Sequence, residues 1–334
     1  MDSLWQFELG ITLWLQSLGR GLIFPMKLLS FLGREEFFTI IMPLLYWCVD
    51  ARLGIRVSII LLLSNGGNSI LKQTFRTPRP FWYDHRVLPL AVETSFGSPS
   101  GHAQISSSVW GLVAFKIKKR VVSSIIWILI FLIGLSRVYL GVHFTSDVVI
   151  GWLLGVILVI LFIRWEKGIV SWFTMQPFYK QLTLCVLCSL ILLNLMVLPV
   201  LVEPAWYIPT NWMANASRVV PLNDFTPLDV SGAFITAGTL LGMTTGVVLL
   251  KRQYRIFDVS GSVIIKGLRY LVGMIGVLVV WYGLGLLFPR NHDFLGLSLR
   301  FLRYTLVGIW IAYLAPLLFF KIGLLNRTIK PIER

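Results

Sequence analysis

The stretch Ser136-Arg137-Val138-Tyr139-Leu140-Gly141-Val142-His143-Phe144-Thr145-Ser146-Asp147 sets a cation, an imidazole and a carboxylate between two long apolar runs. Ionisable groups at membrane depth are costly and mark functional positions. His143 and Asp147 are four residues apart, so on a helix they share a face, one turn from each other. That spacing lets the carboxylate hold one ring nitrogen while the other meets a substrate. Two more polar stretches lie upstream, Lys72-x6-Arg79-Pro80 and Pro99-Ser100-Gly101-His102. Together they offer three cations, Lys72, Arg79 and Arg137, with two imidazoles and one carboxylate. Ser100-Gly101-His102 opens a helix, where free backbone N–H groups and the positive dipole end favour an anion. The sequence has no nucleotide or sugar-binding fingerprint, and no two-His-plus-carboxylate set at metal-ligand spacing. Concentrated positive charge with two imidazoles describes a phosphate site that uses neither metal nor cofactor.

These residues need a scaffold, and the composition states which kind. The 334 residues are 56% hydrophobic and 13% charged, with a mean hydropathy of +0.79. A soluble domain has about 45–50% apolar and about 25% charged residues. The expected fold is all-α: a polytopic membrane helical bundle of about nine spans, each near the length a bilayer requires. The spans are expected at Phe37–Val49, Gly54–Lys72, Gly101–Phe115, Val121–Ser136, Ser146–Ile163, Leu182–Val202, Val230–Leu250, Gly267–Phe288 and Ser298–Phe320. Residues 1–36 suit interfacial, amphipathic helices, broken near Gly19-Arg20-Gly21 and Pro25. Residues 37–202 hold the polar stretches. Residues 203–334 form a loop rich in Pro, Asn and Trp and then three further spans. Arg164 to Lys180 reads as a polar connector. No soluble domain and no internal repeat is visible.

The formal charge of +15 comes from 30 Lys and Arg against 15 Asp and Glu. Nucleic acid is excluded as the partner, because the basic residues are short clusters between apolar runs, where they act as topology signals. With nine spans the two ends lie on opposite sides. The side of the C-terminus collects 18 of the 30, leaving 12 opposite. The positive-inside rule makes that side cytoplasmic. The loops at 73–100, 137–145 and 203–229 then face outward, with all three polar stretches.

Several residues read as structural. Cys48, Cys185 and Cys188 fall inside apolar runs and are packing cysteines. His85 reads as a solvated loop residue, and His292-Asp293 as a polar turn. The patch Asn65-Gly66-Gly67-Asn68 favours close helix contact over a polar site, and the Gly232, Gly238, Gly242, Gly246 series favours helix packing. Asn215-Ala216-Ser217 fits a glycosylation sequon.

The three stretches Lys72-x6-Arg79-Pro80, Pro99-Ser100-Gly101-His102 and Ser136-Arg137-x5-His143-x3-Asp147 resemble the three-part signature of the type 2 phosphatidic acid phosphatase superfamily, with every position filled. Arg79-Pro80-Phe81-Trp82, Glu93-Thr94-Ser95-Phe96-Gly97-Ser98-Pro99-Ser100-Gly101-His102 and Ser136-Arg137-Val138-Tyr139-Leu140 resemble its glucose-6-phosphatase branch; Asp224-Phe225-Thr226-Pro227 and Gly238-Thr239-Leu240-Leu241-Gly242 do so weakly. The resemblance implies a six-helix phosphatase-type core and a hydrolase that works through a phosphohistidine. It implies His143 as nucleophile, Asp147 as its orienter, and His102 as acid and then base. It implies Lys72, Arg79, Ser100, Gly101 and Arg137 as the phosphate cradle. Glu93 is expected to position the Pro99–His102 turn. The expected substrate is a lipid phosphate or polyprenyl diphosphate, reached at a membrane of lipids. A sugar phosphate is the alternative within the family, and a phosphotransferase or anion transporter is the alternative outside it. The sequence names no protein partner.

Overall fold

The computed structural model describes residues 2–117, 119–203, 206–221, 224–254, 257–289 and 291–325. Of the 30 Lys and Arg, Lys118, Arg255, Arg290, Arg327, Lys330 and Arg334 lie outside these. Among the described residues the regular secondary structure is all helix, with no strand, as expected. In chain order the helices are α1 (Asp2–Ser17), α2 (Ile23–Phe31), α3 (Glu35–Leu44), α4 (Ala51–Phe75), the short α5 (Pro80–Tyr83), α6 (Gly101–Lys116), α7 (Arg120–Tyr139) and α8 (Thr145–Met175). They continue with α9 (Phe178–Val202), α10 (Thr210–Ala216), α11 (Ser231–Gln253), α12 (Val263–Leu287), α13 (Phe294–Ile309) and α14 (Ala315–Lys321).

Among the described residues seven stretches are long and apolar enough to cross a membrane: Ala51–Tyr83, Arg120–Tyr139, Thr145–Met175, Phe178–Val202, Ser231–Gln253, Val263–Leu287 and Phe294–Lys321. They coincide with seven of the nine expected spans. The other two fall short. Phe37–Val49 is divided between α3, which contains Pro43, and a π turn at Leu45–Val49. Gly101–Phe115 is α6, with 16 residues. At about 1.5 Å per residue it is shorter than a hydrocarbon core of about 30 Å. Its Ser106, Ser107 and Ser108 are buried in protein.

Two more expectations are corrected. Arg164 to Met175 continues α8, because nothing breaks the helix before Pro177. The N-terminal break occurs at Gly19, with φ 106°, followed by a 3-10 turn at Arg20–Leu22. Pro25 lies in the first turn of α2, where a missing N–H costs nothing.

The chain divides into two compact units. The first comprises residues 1–38, 63–165 and 195–230. Its core gathers Leu9, Leu15, Phe81, Trp82, Phe96, Tyr139, Leu140 and Phe225. The second comprises residues 39–62, 166–194 and 231–334, with a core around Tyr46, Trp47, Val277, Val307 and Phe319. All three polar stretches lie in the first unit, together with the 203–230 loop. Within that unit the loop is tied down at several points. Arg76 donates to the Glu203 carboxylate at 2.9 Å and to the Pro199 carbonyl at 2.6 Å. Gln73 donates to the Pro227 carbonyl. Trp82 meets Phe225 edge-on at 4.8 Å.

Candidate active site

His143 sits in a five-residue reversal whose two ends are locally encoded. Helix α7 stops at Gly141, which has φ 73°. Gly141 N–H donates to Val138 O and Val142 N–H to Arg137 O, the paired bonds of a glycine-terminated helix end. On the far side α8 begins, and Asp147 in its first turn accepts from the Phe144 N–H at 2.9 Å. That is one half of a capping box. A glycine stop and a carboxylate cap thus hold the imidazole from both sides.

The second stretch is brought to the same place. Ser100 precedes α6, and its N–H donates to Asp147 O at 2.9 Å. Gly151 of α8 lets the two helices approach, since a Cβ there would stand 2.6 Å from Ser100 O. The turn is held from α4 by Asn68, which donates to Pro99 O at 3.2 Å and to Gln104 Oε1 at 2.9 Å. Asn68 therefore serves the polar turn, contrary to the contact reading of its patch. The 77–79 segment secures the turn from another side: Gly97 N–H donates to Thr77 O, and Ser98 N–H to Thr77 Oγ1.

The three cations converge there. Arg79 donates from Nε to Ser95 O at 2.6 Å and from Nη1 to Val142 O at 2.7 Å. Its Nη1 also lies 3.2 Å from His143 Nε2, and its Nη2 donates to Ser95 Oγ at 3.0 Å. Lys72 donates to Phe96 O and to Gly97 O. Arg137 is fully buried and donates to Ser30 Oγ and to Glu93. Glu93 also stands 3.6 Å from Arg79 Nη2. One carboxylate therefore links two of the three cations. Glu93 was expected to steady the Pro99–His102 turn, but its partners are the two arginines.

The proton states follow from this geometry. Burial would raise the Glu93 proton affinity, but Arg137 and Arg79 outweigh it and hold the carboxyl well below the usual carboxylate range. Burial, reinforced by Arg79, Lys72 and Arg137, holds the His143 imidazole well below its usual range, so the ring is neutral. Because a guanidinium only donates, Nε2 facing Arg79 carries the lone pair. Nδ1 then carries the proton and faces Asp147 Oδ2 at 3.4 Å, a charge contact without hydrogen-bond alignment. An imidazole whose Nε2 lone pair is turned to Arg79, with a carboxylate behind it, has the form of a nucleophile once a phosphoryl oxygen takes over that guanidinium.

Other atoms are left over. Ser100 Oγ, His102 Nε2 and Arg137 Nε are buried without a hydrogen-bond partner among the described residues. All three sit among the converging cations, and each can bond an oxyanion or its leaving oxygen. Arg137, Glu93 and Arg79 all act electrostatically on His102. Gly101 has close quarters: a Cβ there would meet Asn68 Oδ1 at 3.2 Å. Every residue singled out from the sequence for this chemistry is in this one region. Among the described residues no group of three His, Cys, Asp or Glu is placed to hold a metal ion.

Four further residues serve the site. Glu93 was visible as part of a resemblance. Asn68 was visible as part of a polar patch. Ser30 of α2 and Glu8 of α1 had no signal beyond being polar residues in apolar surroundings. Asn215 of the sequon is half-buried, and its Nδ2 donates to Trp82 O at 2.9 Å.

With the geometry in hand, comparison with known proteins is informative. A family profile described as "PAP2 superfamily" matches residues 53–171. A second, "PAP2 superfamily phosphatase, transmembrane extension", matches residues 234–327. The chain is 38% identical over 103 residues to phosphatidylglycerophosphatase B of Bacillus subtilis, covering 28% of this chain and 48% of that protein. It is 30% identical over 148 residues to glucose-6-phosphatase 3 of Rattus norvegicus, covering 37% and 42%. It is 25% identical over 324 residues to sphingosine-1-phosphate phosphatase 1 of Rattus norvegicus, covering 88% and 70%. The chain thus spans under half the length of the first two.

Proposed function

From a chain that carries a PAP2 superfamily domain followed by that superfamily's transmembrane extension, we propose a membrane-embedded phosphatase. It hydrolyses a phosphate ester through a phosphohistidine on His143. The observation that carries this reading is the meeting of His143, three cations and the unpartnered Ser100 Oγ, His102 Nε2 and Arg137 Nε in one buried cluster.

The chemistry balances in two steps. His143 Nε2 attacks phosphorus as the P–O bond to the leaving group breaks, and His102 gives that alkoxide its proton; burial and Arg137 hold the free His102 below its usual range, so it acts as acid once the substrate's phosphate charge has favoured its imidazolium form. Water then attacks the phosphohistidine. His102 takes the water's proton, the P–N bond breaks, and inorganic phosphate leaves with His143 restored. Asp147 holds the Nδ1 proton and steadies the positive charge that forms on the ring. Lys72, Arg79 and Arg137, with Ser100 and the Gly101 N–H, take the phosphoryl oxygens and offset the charge of the transition state. Arg79 Nη1 would exchange its contact with Nε2 for a phosphoryl oxygen. No metal is needed, because the guanidinium and ammonium groups supply the charge.

The substrate proposed is a lipid phosphate. The long match to a sphingosine-1-phosphate phosphatase and the match to a phosphatidylglycerophosphatase support it. The match to glucose-6-phosphatase 3 supports a sugar phosphate as the second reading. With all nine expected segments crossing, the charge asymmetry of the loops supports a site on the non-cytoplasmic side. A panel of phosphatidate, sphingosine 1-phosphate, a polyprenyl diphosphate and glucose 6-phosphate, in detergent and in liposomes with EDTA present, tests this. Phosphate release from a lipid substrate, inhibited by vanadate, is expected. Turnover of glucose 6-phosphate alone would select the second reading, and a strict metal requirement would overturn the mechanism.

A further inference from the structure

The first turn of a helix needs acceptors for its N–H groups, and the residue before the helix ordinarily supplies one from its side chain. For α8 that residue is Phe144, which has no acceptor. Asp147 returns its carboxylate to the Phe144 N–H, but the reciprocal bond is absent from the local sequence. It comes from 138 residues away. Glu8 of α1 accepts from the Ser146 N–H at 2.7 Å through one oxygen and from Ser146 Oγ at 2.9 Å through the other.

Glu8 is 5% exposed, so its charge is withdrawn from solvent. A buried carboxylate is retained only where it is bonded, and the positive end of a 31-residue helix favours it. Helix α1 is fastened around it. Leu9 and Leu15 lie in the core of this unit. The Trp5 ring stacks on Phe144 at 6.0 Å with an interplanar angle of 13°, and meets Tyr83 edge-on at 5.5 Å. Gln16 donates to Leu88 O and Tyr139 O. The helix that reads from sequence as an interfacial element thus grips both ends of the reversal that carries His143.

We propose that Glu8 is a positioning residue for the His143–Asp147 pair, capping α8 from a distant part of the chain so that the Asp147 carboxylate stands where it aims His143. This rests on the phosphatase reading above. Glu8 acts through Ser146 and does not touch the substrate. Its charge also matters to the pair. The pair faces Lys72 of α4, Arg79 before α5, His102 of α6 and Arg137 of α7, with Glu93 beyond the arginines. Glu8 and Glu93 are the two anions set against these cations. Glu8 acts electrostatically on Asp147, so removing its charge takes an anion away from the His143 side, and an imidazolium on His143 should then form only at lower pH.

Purified wild type, Glu8→Ala, Glu8→Gln and Glu8→Asp are compared on one ester that the wild type hydrolyses, from acid to neutral pH. Vanadate inhibition measures the intact phosphate cradle, and size-exclusion elution the folded fraction. Glu8→Ala is expected to lower kcat about 10- to 100-fold with KM and vanadate affinity nearly unchanged. Glu8→Asp and Glu8→Gln, which keep an acceptor, should recover part of the loss. Glu8→Gln should also move the acid limb of kcat/KM to lower pH. Wild-type kcat and an unmoved acid limb in both Glu8→Ala and Glu8→Gln would overturn the proposal. So would losses that follow the folded fraction alone. A wild type that releases phosphate from no ester overturns the phosphatase reading itself, a different result from variants that match an active wild type.

Discussion

Both units bury an arginine completely, and the two are used in opposite ways. Arg269 in the second unit gives every nitrogen to main-chain carbonyls: Leu324, Trp47, Val259 and Ser260. It closes helix ends and turns, and no nitrogen is left without a partner. Arg137 in the first unit bonds one hydroxyl and one carboxylate and keeps its Nε without a partner among the described residues. A buried cation is therefore no mark of a site by itself. The mark is an incompletely satisfied cation beside an imidazole and a carboxylate. Glycines repeat the contrast. Gly238, Gly242 and Gly246 of α11 lie against the backbone of Phe301 and Thr305 in α13 and against Ala312, where a Cβ has no room. Gly141 and Gly151 instead serve the reversal and the helix start around His143. The first unit has packing glycines too, Gly134 against Trp152 and Gly155 against Ser107, but Gly141 and Gly151 add the placing of chemistry.

Substitutions can break this contrast. Arg137→Ala is expected to lower kcat/KM about 100- to 1,000-fold while the protein remains folded in detergent. Arg269→Ala is expected to leave kcat/KM per folded molecule near wild type and to reduce stability by at least about 2 kcal/mol, since several buried carbonyls lose their donor. Equal kinetic losses from the two would erase the distinction. Glu93→Gln should lower kcat/KM about 10-fold or more, because Arg137 loses the carboxylate that fixes its plane; an unchanged value would make Glu93 a bystander. Gly242→Leu should cost about 1–3 kcal/mol of stability through α11–α13 packing with no change in KM, as read by thermal unfolding beside steady-state kinetics.

The smallest effect concerns pH. His143 is held below its usual range, so its neutral, nucleophilic form persists as pH falls through the ordinary imidazole value of about 6.5. The acid limb of kcat/KM, which reports the free enzyme, is expected below that value. Removing the Arg79 charge relieves part of the depression and should raise the limb in the residual activity of Arg79→Gln. A limb at or above the ordinary value in the wild type would show that His143 is not held neutral.

The sequence made the site legible where chemistry is carried by spacing. Lys72, Arg79, Ser100, Gly101, His102, Arg137, His143 and Asp147 sit in short motifs, and the structure gathers them in one region. The reversal at 140–144 was equally local, since Gly141 and Asp147 encode its two ends. Ser30 and Glu8 were not legible. Their partners lie 107 and 138 residues away, and a polar residue on an amphipathic helix looks the same whether it faces water or a buried helix end. Seven spans could be read from length and apolarity. The polar face of α6 and the Pro43 interruption of α3 hid how short those two helices are. The charged residues after Ile163 read as a loop, yet Arg56 pairs with Glu166 at 2.7 Å, so polar side chains alone do not end a helix.

The central claim is that His143 Nε2 becomes bonded to phosphorus. The direct measurement is to quench the purified protein during turnover of a labelled substrate and locate the label by peptide mass spectrometry under alkaline conditions, where a phosphohistidine survives. The account predicts one acid-labile phosphoryl group on His143, absent in His143→Ala, and accumulating in His102→Ala with a substrate whose leaving group needs no proton. A label on another residue, or full turnover in His143→Ala, would contradict it.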